Sequence, residues 1–146
     1  MSQEFTTRSK KAISLFREAD NYRVRGQYRQ AADLLQQALN KDDEFSEAWF
    51  LLGLTYKMAY KLEPSVESFE KAKMLFPSGK IPMELFFELG QVYMYEGKYE
   101  KARDNLSTFL DLGGVNTRNA NYAKKGVIDA DYALEHIGDA SKFEPR

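Results

Sequence analysis

The residues that could support catalysis or metal binding are few in this 146-residue chain. It has no cysteine and one histidine, His136. A metal site or a histidine base needs partners that converge on one point. The nearby Asp129, Asp131 and Asp139 instead fall on different faces of the helix predicted around them. We therefore interpret His136 as a solvated residue, and we expect no enzyme activity, no metal and no cofactor.

Two short motifs resemble functional ones but occur in the wrong context. The glycines of "DLGG" (111–114) end a predicted helix instead of following a strand, so they do not form a phosphate-binding loop. The "NLS" beginning at Asn105 matches a glycosylation acceptor, but it lies inside a predicted helix. We interpret it as a chance match. Neither motif changes the expectation of a non-catalytic protein.

Charge and hydropathy argue against nucleic acid and membranes as partners. The formal net charge is −1, although residues 1–32 carry seven Lys or Arg against three Asp or Glu. Basic residues lie beside Tyr22 and Tyr28, but both tyrosines recur at packing positions of a sequence repeat. The aromatic platform on which bases of a single-stranded nucleic acid stack is therefore missing. No apolar run approaches the roughly 18 residues of a membrane span. The polar start has no signal peptide, which predicts either a cytosolic protein or a trimmed chain.

Most of the chain is built from a repeated sequence pattern. The segment "AWFLLGLTYKMAY" (48–60) contains W-x-x-L-G-x-x-Y, and a related spacing recurs 34 residues earlier and 37 residues later. This gives three units at 12–45, 46–79 and 83–116. The recurring residues are Leu15, Ala19, Tyr22, Gly26, Tyr28, Ala31, Leu35 and Ala38, then Trp49, Leu52, Gly53, Tyr56, Ser65, Phe69, Ala72 and Pro77, then Phe86, Leu89, Gly90, Tyr93, Gly97, Tyr99, Ala102 and Leu106.

This spacing resembles that of the tetratricopeptide repeat family. The resemblance implies an all-α fold, a right-handed α-solenoid of three helix pairs with Trp49 buried between the first and second units. A narrow apolar stripe from Ala120 to Ile137 predicts one further helix, at 117–138, which would cap the third unit. Residues 1–11 remain as an N-terminal segment and 139–146 as a tail. We thus expect seven helices and no strand.

Small residues in the pattern have mechanical roles. Gly53 and Gly90 would let the first helix of a pair approach its partner closely, and Gly97 would end a helix in a left-handed conformation. Tyr60 stands where the second unit would have that terminating glycine, which predicts an irregular turn. Gly126 costs about 1 kcal/mol of helix propensity relative to alanine. The insertion "KIP" (80–82) leaves the stacking of the third unit undetermined.

The family resemblance also implies a partner-binding surface. In this family the first helices of successive units line a concave wall through residues at fixed offsets. Transferred to this chain, those positions are Phe16, Asp20, Arg23 and Val24 in the first unit, Phe50, Leu54, Lys57 and Met58 in the second, and Phe87, Gln91, Met94 and Tyr95 in the third. Because aromatic and methionine side chains dominate, an apolar or amphipathic peptide or helix would suit the wall.

Some members of the family grip a terminal carboxylate with a clamp of Lys, Asn and Arg. At the corresponding positions this chain has Phe16, Asp20, Leu51, Glu84 and Glu88, which supply neither cations nor amides. The sequence therefore disfavours a carboxylate-clamp co-chaperone. Two alternatives stay open for the wall itself. The N-terminal segment around Phe5 would cover it, or a second copy of the chain would, making a homodimer.

The flanks of the repeats carry a narrower resemblance. The stretches "FTTRSKKAISLFREA" and "ANYAKKGVIDADYALEHIG" are similar to the flanks found in bacterial envelope proteins. In those proteins a tetratricopeptide module precedes a WD-type β-propeller and an OmpA-like domain, and some belong to gliding and type IX secretion systems. The resemblance implies a periplasmic protein-interaction scaffold. The alternative is a free-standing cytosolic adaptor.

Overall fold

A computed structural model describes residues 4–139, and within that range every regular element is helical. The amphipathic segments form seven α-helices, joined by short turns and one 3₁₀ turn at Gly114–Asn116. The helices are α1 (Lys10–Val24), α2 (Tyr28–Lys41), α3 (Ser46–Met58), α4 (Leu62–Leu75), α5 (Met83–Tyr95), α6 (Tyr99–Asp111) and α7 (Ala120–His136). The predicted all-α fold is confirmed, as three helix pairs followed by a C-terminal helix.

The helices belong to two compact bodies, one up to Ile81 and one from Pro82. In the N-terminal body α1 pairs with α2, α3 pairs with α4, and α2 packs against α3. In the C-terminal body α5 pairs with α6, and α7 packs mainly on α6. The boundary falls inside the "KIP" insertion, where the sequence repeat is interrupted.

Glycine permits the close contact within the second and third helix pairs. A Cβ atom added at Gly53 would lie 2.5 Å from Cδ1 of Phe69, and one added at Gly90 would lie 2.8 Å from Cδ2 of Leu106. Such distances are too short for real carbon atoms. The Ser65 hydroxyl on α4 donates to the carbonyl of Gly53 at 2.8 Å, which also requires the two helices to lie close together. The predicted role of both glycines is confirmed.

The turn at Tyr60 is regular, and the prediction of an irregular turn is wrong. Tyr60 has a φ of 59°, in the left-handed region where Gly26 and Gly97 lie in the other two pairs. The Tyr60 amide donates to the carbonyl of Lys57 at 3.0 Å, and the next amide donates to Tyr56 at 2.9 Å. This is the Schellman pattern that glycine usually completes. The same hydrogen bonds form in all three turns, so the backbone of the second adopts the geometry despite the side chain.

We expect the Tyr60→Gly variant to be more stable than the native chain by about 1 kcal/mol. The left-handed conformation crowds a Cβ atom against the following carbonyl, and glycine removes that strain. Little packing is lost because Tyr60 is 84% exposed. Thermal melting would measure the gain. Gly97→Ala, at a φ of 72°, is the matched control and should change stability in the opposite direction.

The N-terminal body has its core between the first and second helix pairs. Buried residues from α1 and α2 meet Phe45, Ala48 and Leu52 there, and Trp49 packs against the edge of the cluster. Trp49 is only partly buried, and its Nε1 donates to the carbonyl of Asp43 at 2.8 Å. The prediction therefore places Trp49 correctly at this core but overstates how much of the residue is buried. The fully enclosed aromatic residue of this region is Phe45.

The C-terminal helix is shorter than predicted and is tied to α6. It begins at Ala120 instead of residue 117. Gly126 is needed for contact, because a Cβ atom there would lie 2.6 Å from Cδ1 of Leu106. Asp139, assigned to the tail by the sequence, is buried and accepts a hydrogen bond from the amide of Glu100 at 2.9 Å. The last turn of the fold thus caps the start of α6, while residues 140–146 lie outside the described residues.

Candidate partner-binding surface

The predicted surface divides between the two bodies. We call the first part the α1–α3 surface. It comprises Phe16, Asp20, Arg23, Val24, Phe50, Leu54, Lys57 and Met58.

The end of the α1–α3 surface around Phe16 is covered by the N-terminal segment of the same chain. The Phe16 ring lies 5.3 Å from the ring of Phe5 and 5.3 Å from that of Phe45. Phe16 is consequently half-buried. One of the two alternatives considered for the predicted wall, coverage by the segment around Phe5, is thus realised at this position.

The charged pair on α1 is internally neutralised. Arg23 donates from Nε and Nη2 to the same Oδ1 of Asp20, at 3.0 and 2.8 Å. The two residues are three apart on the helix, the spacing at which such pairs meet. Both side chains stay partly in water, so the pair contributes little to stability. It presents a polar rim beside Val24, whose side chain is 72% exposed.

The α3 part of the surface becomes more open toward the end of the helix. Phe50 is half-buried, and its ring meets the buried ring of Phe69 edge-on at 5.9 Å. Leu54 packs against the core cluster, and Lys57 is half-buried. Met58 is 52% exposed. Phe50 is thus shared between the core and the surface, while Met58 is the apolar side chain of α3 most accessible to a partner.

In the C-terminal body, Phe87 belongs to the core. The sequence placed it on the binding wall, but only 6% of its surface is exposed. Its ring lies 5.0 Å from Phe109 on α6 and 5.5 Å from Tyr122 on α7. The prediction of an accessible Phe87 is wrong because α7 closes over the face of α5 from which the ring projects.

Of the remaining α5 residues, Met94 lines a small cleft. Met94 and four residues of α7 line a cavity of about 290 Å³, the α5–α7 cleft; those four are Tyr122, Lys125, Gly126 and Asp129. At its rim Lys125 donates to Asp129 at 2.6 Å, and that hydrogen bond raises the pKa of Lys125. Gln91 is half-buried, and Tyr95 is 57% exposed.

The α7 residues of this cleft are not among those predicted from the sequence. Tyr122 and Lys125 lie off the apolar stripe that predicts the helix, so the stripe alone assigns them to solvent. A signal is nevertheless present. Tyr122 is an aromatic residue on the polar side of the predicted helix, and tyrosine is enriched at interfaces where its ring packs and its hydroxyl stays hydrated.

The residues that the sequence analysis interpreted as non-functional lie on the surface or within a buried part of a helix. His136 is exposed, stacks on Tyr132 at 4.0 Å and has Nδ1 2.8 Å from the carbonyl of Tyr132. Asn105 is buried within α6, where its amide donates to the carbonyl of Lys101. Among residues 4–139 no three His, Asp or Glu side chains converge as a metal site requires. No helix in this part of the chain has the length and apolar character needed to cross a membrane.

Helical hairpins packed through glycine contacts and closed by left-handed turns define a class of helical repeat scaffolds. Models of the tetratricopeptide repeat match residues 16–73 and 84–112. The chain belongs to the tetratricopeptide repeat family. Such domains are non-catalytic scaffolds, and the chain is one of them.

A curated relative and several solved structures are similar to this chain. The general transcriptional corepressor trfA of Dictyostelium discoideum is 27% identical over 94 residues, which are 64% of this chain and 7% of that protein. The chain thus spans a small fraction of the length of this relative.

Among solved structures, the first tetratricopeptide domain of Spaghetti (RPAP3), bound to an HSP90 peptide, has a TM-score of 0.75 at 19% identity, over 87% of this chain and 95% of that one. The Yersinia enterocolitica type III secretion chaperone SycD, in complex with a peptide of the translocator YopD, has a TM-score of 0.73 at 14% identity. The match covers 85% of this chain and 95% of the SycD chain. These likenesses establish the fold.

Proposed function

We propose that the chain is a protein-interaction scaffold that binds an apolar or amphipathic peptide or helix on the α1–α3 surface. The observation that carries the proposal is the exposure of Val24 and Met58 at the open end of that surface. The two residues are 72% and 52% exposed, and Val24 follows the Asp20–Arg23 pair on α1. Apolar side chains with a polar rim are typical of surfaces that receive a partner. Solved relatives of the same fold hold peptides, which supports the proposal.

The charges of the surface favour an apolar ligand over a terminal carboxylate. The Arg23 guanidinium is paired with Asp20, so it is not a free cation for a terminal carboxylate. Leu51, at another clamp position, is buried in the core. A partner that offers apolar side chains therefore fits better than the acidic tail of the HSP90 peptide bound by Spaghetti.

Met58→Glu is expected to weaken partner binding at least tenfold, which corresponds to about 1.4 kcal/mol. A carboxylate at this site would lose its water when an apolar partner side chain packs against it, and that desolvation costs binding free energy. The native partner would be identified by crosslinking, and Kd would then be measured by calorimetry. Met74→Glu is the matched control, because Met74 lies on α4 with 69% of its side chain exposed. Equal affinities for the two variants would contradict the proposal.

A dilution series measured by light scattering addresses the alternative of self-association. If the chain is a dimer whose dissociation exposes the α1–α3 surface, Met58→Glu should shift the equilibrium to monomer. A monomer at all concentrations would leave the surface available to a different protein. The homodimer stays a prediction, as does the absence of a nucleic-acid partner.

We further propose that the domain works in the bacterial periplasm, as a module of an envelope protein of the propeller and OmpA-like type. The support is the similarity of the flanking stretches "FTTRSKKAISLFREA" and "ANYAKKGVIDADYALEHIG". The cytosolic adaptor is the competing proposal. Sequencing the complete gene, and fractionating cells that express it, would distinguish them. Recovery of the native protein in the cytosolic fraction would contradict the periplasmic assignment.

A further inference from the structure

The segment Glu4–Ser9 covers the end of the α1–α3 surface formed by Phe16 and places an aromatic side chain against it. The Phe5 ring contacts Phe16 edge-on at 5.3 Å and Phe45 at 5.8 Å. The Arg17 guanidinium lies 5.6 Å from the centre of the Phe5 ring and pairs with Glu4 at 3.1 Å. The ring is thus held between two phenylalanines and a cation, in a position predicted to receive a partner.

The backbone next to this ring is held by a side chain of α3. The Thr6 amide donates to both carboxylate oxygens of Glu47, at 3.1 and 3.2 Å, and the Thr6 hydroxyl donates to the same group. The amide of Ser46 donates to the Thr6 hydroxyl oxygen at 3.0 Å. These contacts engage one backbone amide and one hydroxyl of a non-helical segment. Hydrogen bonds to the main chain of a non-helical segment are also one of the ways in which domains hold a peptide.

The following residue completes the attachment. The Thr7 hydroxyl donates to the carboxylate of Asp42, and Thr7 is 1% exposed. Ser9 then caps α1 by accepting a hydrogen bond from the amide of Ala12 at 3.1 Å. The segment is therefore tethered a few residues from its binding position. A tether this short gives a high effective concentration, of the order of millimolar, against which an external ligand must compete.

We propose that the segment Glu4–Ser9 is an intramolecular ligand of the covered end of the α1–α3 surface and lowers its affinity for partners. The position takes an aromatic side chain followed by a residue with a hydroxyl group, and Glu47 accepts from the ligand's amide. This inference rests on the proposed peptide-binding function. A partner of this chemistry gains access when the segment leaves, so its apparent affinity is reduced by the fraction of molecules in the open state.

The test uses the full chain and a synthetic probe. A fluorescent peptide, EFTTRS with blocked ends, would be titrated against the native chain and against Phe5→Ala/Thr6→Ala by anisotropy. We expect the double variant to bind at least tenfold more tightly, because its own segment no longer occupies the position. Neither protein should bind the peptide EATTRS with comparable affinity. Tyr132→Ala, on the C-terminal body, is the control variant and should behave as the native chain.

Hydrogen exchange provides an independent readout. The backbone amide of residue 6 should be protected in the native chain and exchange freely in the double variant. An unprotected amide in the native chain would overturn the proposal, as would equal peptide affinities once protection is lost. If the double variant does not fold, the single variant Thr6→Ala replaces it in the test. That variant keeps the Phe5 ring, which packs against the core, and loses the hydroxyl that donates to Glu47. Tighter probe binding by Thr6→Ala supports the proposal, and unchanged binding contradicts it.

Failure here is distinguishable from failure of the proposed function. If Met58→Glu weakens native partner binding while release of the segment changes nothing, the surface binds a partner and the segment is structural. If the probe binds the released variant while Met58→Glu leaves the native partner's affinity unchanged, the covered end is a ligand site and the open end is not.

Discussion

Replacing Phe87 by Ala is expected to destabilise the C-terminal body by about 3–5 kcal/mol, the usual cost of removing a buried aromatic ring. Phe87 contacts Phe109 and Tyr122, so its loss leaves a cavity where α5, α6 and α7 meet. The structure cannot close that cavity easily because Gly90 and Gly126 already place these helices in tight contact with Leu106. Chemical denaturation followed by circular dichroism measures the loss.

The control for this variant is Tyr95→Ala on the same helix. Tyr95 is 57% exposed, so its truncation should change stability by much less. The comparison decides between two roles for α5. If Phe87→Ala were as stable as Tyr95→Ala, and lost a partner instead, Phe87 would be a binding residue as the repeat position predicts.

Replacing Gly53 by Val is expected to cost about 3 kcal/mol, at the upper end of the usual cost of overpacking. Helix propensity alone predicts a small gain, since glycine is the poorer helix former. The packing term should prevail because a Cβ atom would lie 2.5–2.8 Å from three ring atoms of Phe69. The hydrogen bond from Ser65 to the Gly53 carbonyl would also lengthen if the helices moved apart. Thermal melting gives the sign directly.

A second substitution tests the cause. In Gly53→Val/Phe69→Leu the smaller side chain leaves room for the new methyl groups, so the double variant should lose less than the sum of the two single variants. Interaction energies of about 0.5–3 kcal/mol are typical of residues in contact. Strict additivity would show that the Gly53→Val substitution destabilises the protein by some route other than contact with the Phe69 ring.

The spacing of residues along the chain is enough to establish the helix pairs and their internal packing. The positions of Gly53, Gly90 and Phe69 recur with the repeat, and their contacts depend on residues about 16 positions apart within one hairpin. A helix period of about 3.6 residues fixes which side chains share a face. The repeat therefore predicts the first six helices and the glycine contacts within the pairs, and the apolar stripe from Ala120 to Ile137 predicts the seventh helix. The repeat also identifies a set of residues on the first helix of each pair.

The left-handed turn at Tyr60 shows where local propensity is insufficient. The sequence predicts an irregular turn because tyrosine is unfavourable at positive φ. The hydrogen bonds of the turn and the packing of α3 on α4 impose the same geometry that glycine adopts in the other pairs. Contacts summed over two helices exceed the cost of one strained residue.

The roles of the three equivalent phenylalanines, in contrast, depend on tertiary packing. Phe16, Phe50 and Phe87 occupy the same repeat position, yet one lies under Phe5, one meets Phe69 and one is buried beneath Tyr122. The repeat fixes the face from which each ring projects, which is a local property. Phe50 meets a residue of the repeat itself, whereas Phe16 and Phe87 are covered by segments outside the repeat, the N-terminal residues and α7. Their positions depend on non-local packing and hydrogen bonds, such as that between Thr6 and Glu47, which periodicity does not encode.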